Sequence, residues 1–306
     1  MLVSLLLSLA LAPQRRTPTR APTNAMRPVI PFVQTASNTL PQKADATFRA
    51  WPALNNESTR LAVNAGRRYR LHLLSTDIAE DPTRTLFHGD NLMNRFARAL
   101  AERKAVDRKE FFEACEFFAR VRSRVRADEE TRTLVDVAGG HGLVGTLAAI
   151  FMLKQFDNVI IRDPRRPKAF DEVVAAALEV APWTEGRISY EEDKVGAHAP
   201  LPTGCAVVCV HGCRDLTDRI IAAAAEADAR AVALMPCCYK STAADVPEAL
   251  RLSLGVPLAA DVQRTYTLER LGYTVTWSAI PPSITPMNRV ILAHRPKRSS
   301  PEIADS

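Results

Sequence analysis

The 306-residue chain has few aromatic residues, 6% of the total, and nowhere interleaves them with Lys and Arg as the stacking modules of RNA-binding proteins do. It has no run approaching the roughly 18 apolar residues of a membrane span; the apolar stretch Met1–Ala12 is too short. No C-x-x-C pair occurs among its six cysteines, Cys115, Cys205, Cys209, Cys213, Cys237 and Cys238. Four of them sit in or beside apolar, strand-like runs, which excludes a secreted disulfide framework and points to thiols in a reducing compartment. Acidic residues are missing from positions 1–44, where Arg15, Arg16, Arg20, Arg27 and Lys43 lie. Without those five, 35 basic residues face 34 acidic ones. The formal charge of +6 therefore does not describe a globally basic surface, and any basic patch on the folded part must be local.

The first 44 residues read as targeting sequence. The apolar run ends in Ala10-Leu-Ala12 before Pro13, the pattern of a signal-peptide core and its cleavage site, and residues 13–43 are rich in Arg, Thr, Pro, Ala and Ser. In tandem these resemble the bipartite plastid presequence of algae with secondary plastids, which predicts plastid localisation with the secretory pathway as the alternative. Residues 45–107 are expected to form a helical extension, with a helix from Asn91 to Arg103. Residues 299–306 read as a disordered tail.

From Arg108 to about Arg126, Phe111, Cys115, Phe118, Val121 and Val125 recur at spacings of three and four, which predicts an amphipathic helix. Its other face carries Arg120, Arg122, Arg124 and Arg126, either a solvated face or a phosphate-contacting surface at the mouth of a site. Beyond Thr131, strand patterns at Leu134–Ala138, Asn158–Arg162, Arg187–Glu191, Ala206–His211 and Ala231–Pro236 alternate with helical ones near 143–155, 168–180, 215–229 and 241–254. That rhythm implies a parallel sheet covered by helices on both faces. The strands 272–280 and 289–294 are joined too closely for a crossover helix and are expected to pair antiparallel.

The densest information lies in Thr133-Leu-Val-Asp-Val-Ala-Gly-Gly-His-Gly-Leu-Val-Gly145. A buried strand turning through glycines into a helix brings backbone N–H groups close to a ligand. Asp136, acceptor-only when ionised, suits a ligand bearing an ammonium or hydroxyls. Asp163, a little over twenty residues beyond the glycines at the end of the second strand, can accept hydrogen bonds from ribose. Arg165, Arg166 and Lys168 follow it and do not decide between cofactors. Glycine-rich turns of this kind serve nicotinamide and flavin cofactors as well.

Five parallel strands, an acid-plus-glycine turn and a terminal hairpin together resemble the class I S-adenosylmethionine-dependent methyltransferases over about residues 108–295, within a methyltransferase domain expected to span 108–298. The resemblance implies an α/β fold: a Rossmann-like seven-stranded sheet with a C-terminal antiparallel hairpin. It also implies S-adenosylmethionine contacts from Asp136, Ala138, Gly140, Gly142, Asp163, Asp193, His211 and Gly212. Ala138 stands where the family has its first glycine, and Glu191 and Glu192 compete with Asp193 for the adenine-contacting role. His211-Gly-Cys213-Arg-Asp-Leu-Thr-Asp218, then Pro236-Cys237-Cys238, and Ile284-Thr-Pro-Met-Asn-Arg289 resemble one subgroup of the family. That subgroup includes the glutathione S-transferase C-terminal-domain-containing protein and the tRNA acceptor-stem 2′-O-methyltransferase. Arg214 occupies a position where the subgroup more often has Gly.

Several roles stay open for the strand-end residues. His211 can hold the methionine end of the cofactor, act as general base on a hydroxyl, or only fix the strand end. Cys237 or Cys238 can serve as a nucleophile, which needs a lowered pKa. Together with Cys213 and His211 they offer ligand types for structural zinc without the usual spacing, or they simply pack; no metal is expected. The sequence thus predicts a methyltransferase, with RNA as the expected acceptor. A dinucleotide-dependent oxidoreductase, which lacks the terminal hairpin, and a non-catalytic binding protein of the same fold are the alternatives.

Overall fold

The computed structural model describes residues 87, 90–126, 129–196, 198–239 and 246–296. The targeting segment 1–44, the extension up to residue 86 and the tail 299–306 lie outside the described residues. Seven strands form one sheet: β1 (Thr133–Val137), β2 (Asn158–Asp163), β3 (Ile188–Glu192), β4 (Ala206–Val210), β5 (Ala231–Met235), β6 (Thr274–Ala279) and β7 (Arg289–His294). Their order is β3-β2-β1-β4-β5-β7-β6. The first five run parallel, and β7 lies antiparallel between β5 and β6, with Leu234 facing Ile291 and Ala279 facing Arg289. The predicted hairpin is therefore present, at the sheet edge. This is the Rossmann-like α/β sheet that the strand–helix alternation foretold.

The central strands β4 and β5 are apolar throughout, and β1 is apolar but for Thr133 and Asp136, because helices cover both sheet faces. Successive side chains alternate between two cores. Leu134, Val159, Ile161 and Val208 enter one, and Val135, Val207, Cys209 and Val232 enter the other. The first core is closed by helices α1 (Leu92–Glu102), α2 (Arg108–Val121), α3 (Leu143–Phe151) and α4 (Lys168–Val180). The second takes Ile220 and Ile221 of α5 (Leu216–Glu226) and Leu268 of α7 (Val256–Arg270), which follows the short α6 (Glu248–Leu254).

α1 begins where Asn91 accepts a hydrogen bond from the Asn94 amide at 2.9 Å, the usual side-chain cap for an orphan N–H. Its buried Phe96 and Leu100 join the core that holds β1 and β2. α2 buries Phe111, Phe112, Phe117 and Phe118, each worth about 2–3 kcal/mol of transfer free energy. It ends at Val121 rather than near Arg126, and the turn beyond it is closed by the Arg124 amide bonding back to the Val121 carbonyl at 2.8 Å.

The arginine run does not border the crevice at the strand ends. Arg120 donates to the Ala279 carbonyl at 2.5 Å and pairs with Glu116 at 2.6 Å, pinning α2 to β6. Arg122 and Arg126 line a cavity of about 830 Å³ with residues 151–155, at the far end of α3 where the chain enters β2. α7 is the one long element without a counterpart in the sequence pattern. Its buried face carries Asp261 and Arg264 beside Ala259, Ala260 and Leu268, so apolar periodicity is broken where the helix is most enclosed. Asp261 binds Arg264 at 3.2 Å, Arg289 at 2.8 Å and the Tyr239 hydroxyl at 2.7 Å.

Candidate active site

At the carboxyl ends of β1 and β4 lies a cavity of about 200 Å³. β1 contributes Asp136, the turn after it contributes Ala138, Gly139, Gly140 and His141, the end of β4 contributes Val210 and His211, and α2 contributes Glu110 and Glu113. Open parallel sheets bind ligands at this edge because the helix N-termini and strand-end loops converge there. The volume is below the roughly 300 Å³ typical of a complete small-molecule pocket, so a nucleoside cofactor would be only partly enclosed by it.

In the turn, every second residue lies in the left-handed region: Ala138 (φ 55°), Gly140 (φ 53°) and Gly142 (φ 72°). A Cβ on Gly140 would meet nothing within 4 Å, whereas one on Gly142 would come within 2.9 Å of Ile161. Gly140 thus presents bare backbone to the cavity side, and Gly142 instead lets α3 seat against β2. Ala138 bears the strain that glycine would avoid, about 1–2 kcal/mol for an L-residue in this region. Asp163 faces the turn: its carboxylate accepts from the Gly140 amide and from the Arg165 amide, both at 3.3 Å. The single proton of the Tyr190 hydroxyl is shared between the Arg165 carbonyl at 2.9 Å and the Gly140 carbonyl at 3.1 Å, bridging the two strand-end loops.

Asp136 is 2% exposed and accepts from the Gly145 amide at 2.9 Å. Desolvation raises its pKa to about 7, against the lowering effect of the Gly145 bond and of His141; the Asp163 charge pushes the same way as burial. It is an acceptor-only group, as its sequence position suggests, only once it has lost its proton. At neutral pH it titrates.

α2 supplies two carboxylates that the sequence pattern did not single out. Glu113, 1% exposed, accepts from the His211 Nε2 at 2.9 Å and from Lys109. Burial alone would raise its pKa, but the bonds and charges of His211 and Lys109 bring it below the ordinary carboxylate range. An ionised Glu113 fixes the His211 tautomer with the proton on Nε2, leaving Nδ1 as the basic nitrogen. Glu110 faces the His141 Nε2 at 3.3 Å, and His141 Nδ1 accepts from the Leu143 amide. The His141 hydrogen bond holds Glu110 low. Two carboxylate–histidine pairs thus tie α2 to the turn after β1 and to the end of β4. The sequence carried little signal for Glu113: its neighbours on the helix face are Lys109, Glu110, Glu116 and Phe117, mostly charged, and its burial follows from where α2 packs.

Other expected residues are placed differently. Gly212 is buried against Cys209 and Thr217, where a Cβ would come within 3.0 Å of the Cys209 sulfur; it lets α5 approach β4 rather than facing the cavity. Asp193 spends both oxygens within its own loop, on His198 at 2.7 Å and on the Lys194 and Ala199 amides at 2.7 and 3.0 Å. His198 holds its carboxyl below the usual range. Glu191 is taken by Arg162. Cys237 and Cys238 do not line the cavity. They gather with Cys213, sulfur to sulfur at 3.0 Å (Cys213–Cys237) and 3.5 Å (Cys237–Cys238). Burial and the neighbouring thiols push Cys237 far above the ordinary thiol range, which argues against the thiolate nucleophile expected of it. His211 stays in the site, at φ 67° with its amide bonded to the Met235 carbonyl at 3.0 Å. Arg214 is also in the left-handed region, at φ 61°. Both departures from the resembled glycine pattern, Ala138 and Arg214, therefore occupy backbone that favours glycine.

Comparison with curated proteins found no match by sequence. Among solved structures, the fold is similar to the 16S rRNA (adenine(1408)-N(1))-methyltransferase of Catenulisporales acidiphilia with cosubstrate SAM, at 16% identity and a TM-score of 0.37, covering 58% of this chain and 91% of that one. It is similar to the methyltransferase domain of bacterial CtHen1 at 14% identity and a TM-score of 0.39, covering 61% of this chain and 99% of that one. A protein of the NADB-Rossmann superfamily from Streptococcus agalactiae matches at 11% identity and a TM-score of 0.34, covering 60% and 70%. Residues 107–245, from the start of α2 past the end of β5, match the family model described as a methyltransferase domain.

Proposed function

We propose that the chain is an S-adenosylmethionine-dependent methyltransferase whose acceptor is RNA, with a ribose 2′-hydroxyl as the favoured target. One observation carries the cofactor reading: the cavity at the ends of β1 and β4 is lined by bare turn backbone and by the carboxyls of Asp136, Glu110 and Glu113. No Lys or Arg forms an ion pair with Asp136 among the described residues, and its raised pKa marks an acid that lacks a close positive partner. Glu110 and Glu113 are engaged by His141, His211 and Lys109; Asp136 suits an ammonium or sulfonium, whereas a pyrophosphate would meet its carboxyl with no Lys or Arg among the described lining residues. The antiparallel β7 between β5 and β6 likewise speaks against the dinucleotide-dependent oxidoreductase.

S-adenosylmethionine supplies a methyl group on a sulfonium, transferable by direct displacement. Asp136 would hold its ammonium, the Gly139–Gly140 backbone would lie against the nucleoside, and Asp163, at the tip of β2, would accept from the ribose. His211 would take the proton from the acceptor hydroxyl, with Glu113 orienting the ring and stabilising its charge once protonated. Catalysis would otherwise come from holding the acceptor oxygen in line. The RNA reading draws on the subgroup likeness of the motifs around His211 and Pro236. The plastid reading of residues 1–44 goes with it and is tested by the destination of a fluorescent fusion carrying them.

Calorimetric titration with S-adenosylmethionine, and with NAD as the rival, tests the cofactor: binding of the former alone is expected, and binding of NAD alone would refute it. Transfer of labelled methyl into RNA, read by nuclease digestion as 2′-O-methylnucleoside, tests the acceptor. Cofactor binding with no transfer to RNA or protein would leave the non-catalytic binding protein as the better description.

A further inference from the structure

Away from the cavity, three thiols from two loops meet at the tips of β4 and β5. Cys213 lies in the loop after β4, and Cys237 and Cys238 follow β5. Their sulfurs lie within 4.8 Å of one another, and no other cluster of three or more His, Cys, Asp or Glu with such spacing occurs among the described residues. The loops are held in place by backbone bonds, Arg214 amide to Cys238 carbonyl at 2.9 Å and His211 amide to Met235 carbonyl at 3.0 Å. Cys213 and Cys237 are partly buried and Cys238 is exposed, so the cluster has two enclosed ligands and one open side. We propose that Cys213, Cys237 and Cys238 form a three-thiolate site for a thiophilic d¹⁰ ion of the zinc type, which clips the β4 and β5 loops together beside His211.

The geometry fits that ion class. A tetrahedral ion with zinc–sulfur bonds of ~2.3 Å separates its sulfurs by ~3.8 Å. The observed pair distances of 3.0 and 3.5 Å lie somewhat inside that spacing, which small χ1 adjustments reach. Three sulfur donors and no carboxylate exclude magnesium and calcium, which take oxygen ligands. The fourth position would be open to water on the Cys238 side. The spacing, one cysteine followed much later by an adjacent pair, differs from the C-x-x-C arrangement of zinc ribbons, which is why the sequence pattern alone did not announce a metal. Each thiol loses its proton to solvent as its sulfur–metal bond forms, with no change of oxidation state. The site is independent of the methyl-transfer reading.

The contrasting possibility is a disulfide between Cys213 and Cys237, which would need a thiol oxidant. Full-length protein, reduced and stripped of metal under anaerobic conditions, separates the two. Titrated with cobalt(II), it should bind one equivalent with a thiolate-to-cobalt charge-transfer band, and one equivalent of zinc should bleach that band. Alkylation mapped by mass spectrometry should show Cys213, Cys237 and Cys238 modified in the stripped protein, protected together by zinc, and unprotected by magnesium. Cys237→Ser should weaken zinc binding by more than ~100-fold, exceeding the usual loss for a residue one step removed from the metal. Absence of the charge-transfer band, or protection of Cys213 and Cys237 alone without metal, would overturn the proposal. The alkylation map uses the unaltered chain and so does not depend on whether the variant folds.

Discussion

Replacing Asp136 with Asn tests the electrostatics of the cavity without changing side-chain size. The buried carboxyl titrates near 7 instead of 3.8, a rise that corresponds to about 4 kcal/mol of native-state destabilisation once the group is fully ionised. The sign follows from proton binding. Below pH 3.8 the group is protonated in both folded and unfolded chains and its charge costs nothing. Between 3.8 and about 7 the unfolded chain releases the proton first, so stability falls as pH rises, and above that window the full penalty applies. The asparagine side chain of Asp136→Asn would keep the acceptor for the Gly145 amide and carry no charge, so its advantage over the acid should grow by about 2–3 kcal/mol between about pH 5 and pH 8. Urea unfolding of both proteins without ligand, at those two pH values, measures this difference while other titrations cancel. Bound S-adenosylmethionine should reverse the preference: affinity of the unaltered chain should rise with pH through about 7 as Asp136 ionises, and the variant should bind more weakly and without that rise. A stability gap between variant and parent that is equal at both pH values would refute the argument that Asp136 is an unpaired buried acid.

His211→Ala is expected to lower methyl transfer by roughly 10²-fold or more with little loss of cofactor affinity, measured by radiolabel incorporation against calorimetry. Glu113→Gln should reduce transfer less. Because Glu113 titrates below its ordinary range, its stabilising contribution is present at neutral pH and disappears as pH falls through the carboxylate region; the unfolding gap between Gln and Glu should therefore close in acid. Ala138→Gly and Arg214→Gly should each raise stability by about 0.5 kcal/mol, the left-handed strain relieved less the entropy that glycine adds to the unfolded chain. Gly142→Ala, by contrast, should cost about 2 kcal/mol or more, since strain at φ 72° combines with a contact of 2.9 Å to Ile161. Thermal melts rank all three. Asp163→Asn should weaken S-adenosylmethionine binding about tenfold, the scale of one hydrogen bond to a charged acceptor, and leave the sheet intact by circular dichroism.

The parallel sheet was legible because each inner strand is apolar on both faces and each covering helix follows within a few residues. Thr133–Val137 and Ala231–Met235 could not be solvated strands. The hairpin was legible from loop length alone. The glycine turn and Asp163 were legible because their chemistry is local: a strand end, a few glycines and an acid at the neighbouring strand's tip need no distant residue to be understood. α7 was hidden for the opposite reason. Asp261 and Arg264 look like surface charges in a linear pattern, and only Arg289 and Tyr239, brought from β7 and from the loop after β5, convert them into an enclosed network.

The same principle explains what was missed in the site. Glu113 and His211 are 98 residues apart, and neither has a sequence neighbour that demands the other. What demands it is burial: a glutamate 1% exposed in a helix packed with phenylalanines cannot remain charged without donors, and Lys109 and His211 are the donors that reach it. Placing α2 over the cavity is thus tied to the buried charge of Glu113, which Lys109 and His211 balance. Removing Glu113 therefore disturbs two things, the orientation of His211 and the seating of the helix that roofs the cavity. The two are separable by rescue. If orientation of the ring dominates, Glu113→Gln, which can accept from Nε2, should retain much of the transfer rate, whereas Glu113→Ala should approach the His211→Ala level. If seating dominates, both variants should lose cofactor affinity together with rate, because the wall formed by Glu110, Glu113 and Ala114 would move as one.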